Sequence, residues 1–276
     1  MWGHTYDWRT AERDWSSGWG GADGEWHAVV LPRIHDLLPA RSVVEIGCGH
    51  GRWTAFLRNR ADAVRAVDVA EPCVEACRAR FADDERVTVA RTDGHHLDGV
   101  ANRSVDLVFS FDSLVHADLG VMDAYLGEAA RVLDRDGAAF LHHSNLAECR
   151  TRPRLRRVPV LRRALARAGV IETDLHWRDG TVGADAVRRA AERHGLRCVT
   201  QELIPWGTGR LPIDCISTVV RIGSARDHGH CRVVANPHFG ADAQALAALA
   251  EGRAADGAEG HDGPDAGARG PGSAGA

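Results

Sequence analysis

The sequence predicts an α/β fold, a sheet of mainly parallel strands with helices on both faces. Two observations carry that expectation. Short apolar runs rich in β-branched residues (43–46, 63–69, 86–91, 105–111 and 138–144) alternate with helix-spaced segments, and such alternation implies parallel pairing through right-handed crossovers. The first of these strands runs into three closely spaced glycines, Gly47, Gly49 and Gly51, and then into a helical pattern. A glycine turn of this kind lets the backbone approach a ligand closely and aims a helix N-terminus at it.

Ahead of the first strand, residues 1–40 carry Trp2, Tyr6, Trp8, Trp15, Trp19 and Trp26. So many aromatic rings cannot all stay in water cheaply. The segment is expected either to pack on the domain or to fold over its ligand as a lid. A helix is expected over 25–38, interrupted or started by Pro32. Strand one, Val43–Ile46, reads as buried on both faces. In a dinucleotide-binding fingerprint the third glycine of G-x-G-x-x-G packs the helix on the strand, and here Arg52 occupies that place. Arg52 would crowd a pyrophosphate and Glu45 would repel one. An acid beside glycines suits a ligand with a cationic amino group instead.

Strand two, 63–69, delivers Asp68 about 20 residues beyond the glycines, where a carboxylate can take both ribose hydroxyls of an adenosine. Glu71-Pro72 opens a helix with proline in its first turn. Strand three, 86–91, leads to Thr92-Asp93-Gly94-His95. Strand four, 105–111, brings Asp112 and His116 to the carboxyl edge of the sheet, outside which ligands of open α/β sheets bind. A helix over 121–133 and a break at Asp136-Gly137 precede strand five, 138–144. Residues 146–182 interrupt the alternation with eight arginines between Arg150 and Arg167. A helix over 184–194 and two strands, 196–204 and 214–222, complete the domain.

The glycine turn with its preceding acid, E-x-G-x-G-x-G from Glu45 to Gly51, resembles motif I of the class I S-adenosylmethionine-dependent methyltransferases. The resemblance spans roughly 43–222. It implies a Rossmann-like seven-stranded sheet whose final strands form an antiparallel hairpin, with 146–182 as a cap over the substrate side. It implies S-adenosyl-L-methionine as cofactor, held by Glu45, Gly47, Gly49, Gly51, Trp53, Asp68, Asp93, Gly94, His95 and Phe111. In that resemblance Asp93 meets the adenine amine and a backbone N–H near His95 faces the ring. At a finer level, the stretches Phe109–His116, His142–Leu146 and His176–Arg178 look similar to bacterial methyltransferases of sugars and aminoglycosides in natural-product pathways. The expected partner is therefore a small molecule: a sugar, an aminoglycoside or a nucleotide-linked sugar.

Removal of a proton from an oxygen acceptor suits a group that titrates near neutrality. His143 is the favoured base, being nearer the sheet edge than His142. His116 is second, and Asp112 is an orienting or proton-accepting carboxylate. An NAD(P)-dependent oxidoreductase or a non-catalytic cofactor-binding protein on the same fold is the alternative.

Composition narrows the remaining classes. The 276 residues carry a formal net charge of −4 and no lysine, which argues against a general nucleic-acid binder. Seven scattered cysteines without a C-x-x-C pair fit reduced thiols in a cytoplasm. No apolar run approaches the ~20 residues of a membrane span. His228, His230, Cys231 and His238 match no zinc spacing, so no metal is expected. Residues 223–250 read as a C-terminal extension, with a helix over 241–250. The Gly/Ala/Asp-rich stretch 251–276 reads as a disordered tail, and a homodimer is compatible with the chain.

Overall fold

A computed structural model describes residues 21–149, 178–205, 211–246, 248 and 249. Within these residues lies one mixed sheet, ordered β3-β2-β1-β4-β5-β7-β6-β8. β1 (Ala40–Ile46), β2 (Ala61–Asp68), β3 (Val87–Arg91), β4 (Val105–Ser110) and β5 (Leu133–Ser144) are parallel to one another. β7 (Asp214–Arg221) lies antiparallel between β5 and β6 (Leu196–Ile204), so the expected terminal hairpin is present.

The sheet has eight strands, not seven. β8 (Arg232–Ala235) pairs in parallel with β6, and all four of its residues are exposed. An edge strand without a buried face leaves no alternation in the sequence, which is why the sequence reading took it as part of an irregular extension. β5 also begins five residues before the expected start at Ala138. Its pairing with β4 slips between Val105 and Leu107, and a side chain on Gly137 would stand 2.6 Å from the Val105 carbonyl oxygen. The Asp136-Gly137 pair thus marks a bulge within a strand rather than its boundary.

Both faces are covered, as parallel strands require. On one face, helix Leu119–Val132 and helix Ala184–Arg193 pack Met122, Leu126, Val187 and Ala190 against Val44, Val108 and Val219. Asp118 caps the longer helix by accepting the Val121 N–H at 3.0 Å. On the other face, a helical run from Gly21 to Leu37 lays Trp26, Val30 and Ile34 on Val43, Phe109 and Phe140. This run is α-helical at both Gly21–Glu25 and Leu31–Ile34, with a π-turn at Trp26–Val30 between them. Pro32 sits in the first turn of the second piece, and beside it the Arg33 guanidinium donates to the Val29 carbonyl at 2.7 Å. Trp26 is stacked on Phe56 at 4.9 Å between centroids and is fully buried, so this aromatic residue packs on the domain. The other five lie outside the described residues.

The extension after β7 folds back on the same layer. Residues 239–246 are helical, and Phe239 and Ala243 join the core beside the N-terminal run. Arg33 stands over the Phe239 ring at 5.0 Å and grips Glu202 of β6 with two bonds of 2.6 and 2.7 Å. The arginine run 150–167 and the tail 251–276 lie outside the described residues.

Candidate active site

β1 and β4 are neighbours in the sheet although β2 and β3 intervene in sequence. Crossovers leave β1 in one direction and reach β4 from the other, which opens a crevice at their carboxyl ends. A cavity of about 530 Å³ occupies it, within the usual range for small-molecule sites. Its wall is built from the ends of β1 to β4, so Gly47, Gly49, Asp68, Asp93 and Phe111 all line it. So do Trp53, Gly94, His95, Asp112 and His116. Ten of the expected site residues are therefore gathered in one place.

The turn after β1 owes its shape to two hydrogen bonds and two glycines. The Gly47 and Cys48 N–H groups both donate to the Val67 carbonyl, at 2.8 and 3.1 Å. Gly47 has φ +75°, and a Cβ there would fall 1.8 Å from Ser113 Oγ. Only glycine lets the β1 turn and the β4 loop come this close. Gly49, at φ +54°, presents its N–H to Asp68 Oδ2 at 2.9 Å. Asp68 Oδ1 accepts the Ala70 N–H, also at 2.9 Å. The carboxylate thus fastens the turn and keeps a second lone pair on each oxygen for a ligand hydroxyl.

Asp93 is held by its own loop. Its Oδ1 accepts the His95 and His96 N–H groups at 2.8 and 2.9 Å, and Oδ2 lies 2.6 Å from His96 Nδ1. These bonds, His96's first, hold the Asp93 carboxyl well below the usual carboxylate range and push His96 up. His96 was not among the expected residues. The sequence signal for it is its place three residues after the acid, the spacing of an Asx-type loop.

Three expected residues do not reach the cavity. Glu45 lies beneath the turn, 1 % exposed, where the Thr54 hydroxyl donates to its Oε2 at 2.5 Å. Burial pushes its carboxyl up to about 8, so at neutral pH it is protonated and offers no charge to a ligand. Gly51 faces away, where a Cβ would meet the Phe81 ring at 2.4 Å, so it serves packing between the turn and helix Glu71–Arg80. His143, the favoured base, is sealed in the core. Its Nδ1 must donate to the Ser144 carbonyl at 2.9 Å, which leaves Nε2 to accept from Ser217 Oγ at 2.8 Å. Burial pushes this ring down to about 4. Nearness to the edge was the wrong criterion, because alternation along β5 turns His143 away from the cavity and leaves His142 behind Asp112.

Asp112 is the least ordinary residue of the wall. It has φ +59° without being glycine. Its Oδ1 is closed off from water and has no hydrogen-bond partner among the described residues. Burial raises its carboxyl, and its N–H donates to His142 Nδ1 at 3.2 Å. On the same side, Arg52 lines the cavity, lies over the Trp53 ring at 4.5 Å and pairs with the buried Glu25. Burial first of all, against the opposing charge of Arg52, pushes the Glu25 carboxyl up to about 7. Among the described residues no group of three or more His, Cys, Asp or Glu side chains could hold a metal ion, and no helix is long and apolar enough to cross a membrane.

Comparison with known proteins agrees with this geometry. Residues 43–137 match the family described as "Methyltransferase domain". A "probable S-adenosylmethionine-dependent methyltransferase" of Mycobacterium tuberculosis is 33 % identical over 119 residues, which are 43 % of this chain and 41 % of that protein. The match thus spans less than half the length of this curated relative. A crystal structure of an S-adenosylmethionine-dependent methyltransferase from Mesorhizobium loti superposes with a TM-score of 0.51 at 18 % identity, covering 73 % of this chain and 100 % of that one. Magnesium protoporphyrin IX methyltransferase from Synechocystis, solved with bound S-adenosylhomocysteine, superposes with a TM-score of 0.50 at 18 % identity, covering 80 % of this chain and 90 % of that one. The chain therefore has the α/β Rossmann-like fold of class I methyltransferases, a family whose cofactor is S-adenosylmethionine.

Proposed function

We propose that this protein transfers a methyl group from S-adenosylmethionine to a nitrogen or oxygen atom of a small molecule. The observation that carries the reading is the convergence of Asp68, Asp93 and Asp112 on one cavity beside the Gly47–Gly49 backbone. The residues fit the cofactor. Gly47 and Gly49 leave room for close backbone approach, Asp68 has lone pairs for the two ribose hydroxyls, and the Asp93-Gly94-His95 loop suits an adenine edge. Trp53 and Phe111, whose rings meet edge-on at 5.6 Å, close the apolar side toward the methionine part. When bound, the cofactor supplies an activated methyl group on a positively charged sulfur.

Most of what remains is orientation, which can supply much of such an acceleration. Asp112 and His116 are the titratable groups on the β4 side of the cavity, and we assign them to the acceptor. Asp112, which lines the cavity and whose Oδ1 lacks a hydrogen-bond partner among the described residues, would bind the ammonium or hydroxyl of the acceptor and take its proton. Such a group favours an amine-bearing acceptor. An aminoglycoside or amino sugar of secondary metabolism is therefore the substrate class we put forward, with nucleotide-linked sugars next. Glu45, Gly51 and His143 serve this site from beneath, as packing and hydrogen-bonding support.

The test is direct. Stabilisation against heat by S-adenosylhomocysteine but not by NADH supports the reading, and the reverse pattern removes it. Incubation with methyl-labelled cofactor and a panel of aminoglycosides and nucleotide sugars then tests the acceptor class. Tight cofactor binding with no labelled product from any member would sink the proposed substrate class.

A further inference from the structure

Behind the cavity wall runs a buried polar chain that cofactor binding does not use. It begins at the Asp112 N–H, which donates to His142 Nδ1 at 3.2 Å. Since Nδ1 accepts, the ring proton sits on Nε2, and Nε2 stands 3.3 Å from Asp214 Oδ2, within ion-pair distance but outside hydrogen-bond geometry. Arg178 then holds both Asp214 oxygens, from Nε at 2.6 Å and from its terminal nitrogen at 2.7 Å. The strand register explains the meeting. His142 pairs with Ile216, and Asp214 lies two residues along β7 on the same face. His142 and Asp214 are 0 % exposed and Arg178 is 7 % exposed.

A left-handed conformation is unfavourable for any residue with a Cβ and persists only where its surroundings enforce it. At Asp112 the contact on that backbone is the N–H bond to His142 Nδ1. Arg178 and Asp214 balance in charge, and the His142 ring meets Asp112 through its backbone N–H. It spends one acceptor on the Asp112 backbone and none on the side chain.

We propose that His142, Asp214 and Arg178 are positioning residues, which pin the Asp112 backbone in its left-handed conformation and so hold its carboxylate at the cavity wall for the methyl acceptor. The proposal rests on the methyl-transfer reading only for what Asp112 meets. The pinning belongs to the protein alone and can be measured without substrate. The groups that face Asp112 are the His142 ring from β5, the charged Arg178 and Arg52, the latter from the turn after β1, and the acids Asp214 from β7 and Glu25 from the N-terminal run. Burial first of all, with the two acids, opposes its ionised form, and the two arginines favour it.

The experiment uses full-length protein labelled with carboxyl-¹³C aspartate, with the Asp112 signal identified by its loss in Asp112→Asn. Titration and a crystal structure are compared for wild type, His142→Phe, which removes the acceptor, and His142→Asn, which puts an amide oxygen where Nδ1 stands. In His142→Phe, Asp112 should leave positive φ and its midpoint should fall toward the ordinary carboxylate range. In His142→Asn both should stay as in wild type. Affinity for S-adenosylhomocysteine should change less than about twofold in His142→Asn, which keeps the Asp112 backbone in place. An unchanged φ and midpoint in His142→Phe overturns the proposal, as does an equal change in His142→Asn. Should His142→Phe not fold, hydrogen exchange at the Asp112 amide of wild type decides. Protection comparable to that of strand amides supports pinning, and exchange as fast as in exposed loops refutes it. Failure of wild type to bind S-adenosylhomocysteine would remove the methyl-transfer reading and leave these measurements standing.

Discussion

Replacing Gly47 by alanine should damage the site through two separable effects. The first is conformational, since φ +75° costs an L-residue about 1–2 kcal/mol. The second is steric. The new Cβ would lie 1.8 Å from Ser113 Oγ and 2.5 Å from Ser113 Cβ, so either the β1 turn or the β4 loop must move, and overpacking of this kind typically costs about 1–3 kcal/mol. The total, about 2–5 kcal/mol, is a large share of the ~5–15 kcal/mol that holds a domain together. Urea unfolding of Gly47→Ala, Ser113→Gly and the double variant separates the two effects. The double variant should recover the steric part and remain about 1–2 kcal/mol below Ser113→Gly alone. Cofactor affinity should follow, because Gly47, Ser113 and Asp112 share one wall of the cavity. A loss below about 1 kcal/mol in Gly47→Ala, or no coupling between the two positions, would refute the argument that the site requires this close approach.

Other expected outcomes concern charge. Asp68→Asn should weaken S-adenosylhomocysteine binding about ten- to 150-fold, equivalent to ~1.5–3 kcal/mol, measured by calorimetry; unchanged affinity would place the ribose elsewhere. Glu45, with its carboxyl pushed up to about 8, keeps its proton in the folded state after the unfolded chain has lost it. Stability should therefore fall as pH rises from about 4.5 to about 8, at up to ~1.4 kcal/mol per pH unit. Glu45→Gln should flatten that slope in denaturation at a series of pH values, and an unaltered slope would mean that Glu45 is ionised when folded. His143→Ala should lower stability by about 2–4 kcal/mol through a cavity and the broken Ser144–Ser217 bridge, yet leave cofactor affinity intact; a selective loss of turnover in a stably folded variant would restore His143 as the base. Arg178→Ala strands the buried Asp214 carboxylate, at a cost of about 3–5 kcal/mol, so thermal unfolding should drop by roughly 6–20 °C.

Much of this protein was legible before its tertiary structure, and the reason is local. The alternation of apolar strands and helical patterns fixed the element order, because periodicity is a property of neighbours in sequence. Gly47, Gly49, Asp68 and Asp93 could be placed at strand ends because each strand stops where its apolar run stops. What sequence could not decide was direction. Glu45 and Gly51 sit in the same motif as Gly47 and Gly49, yet Glu45, still within β1, points under the turn to Thr54, and Gly51 faces Phe81. His142 and His143 are adjacent, and only the register of β5 against β7 determines which of them shares a face with Asp214 and which with Ser217. β8 was hidden for a related reason, since an exposed edge strand buries nothing that a pattern could record. The sequence by itself determined which groups reach the carboxyl edge of the sheet. The tertiary structure alone decided which of them lose their water and which keep a face to the cavity, because burial and close approach depend on strands far apart in the chain.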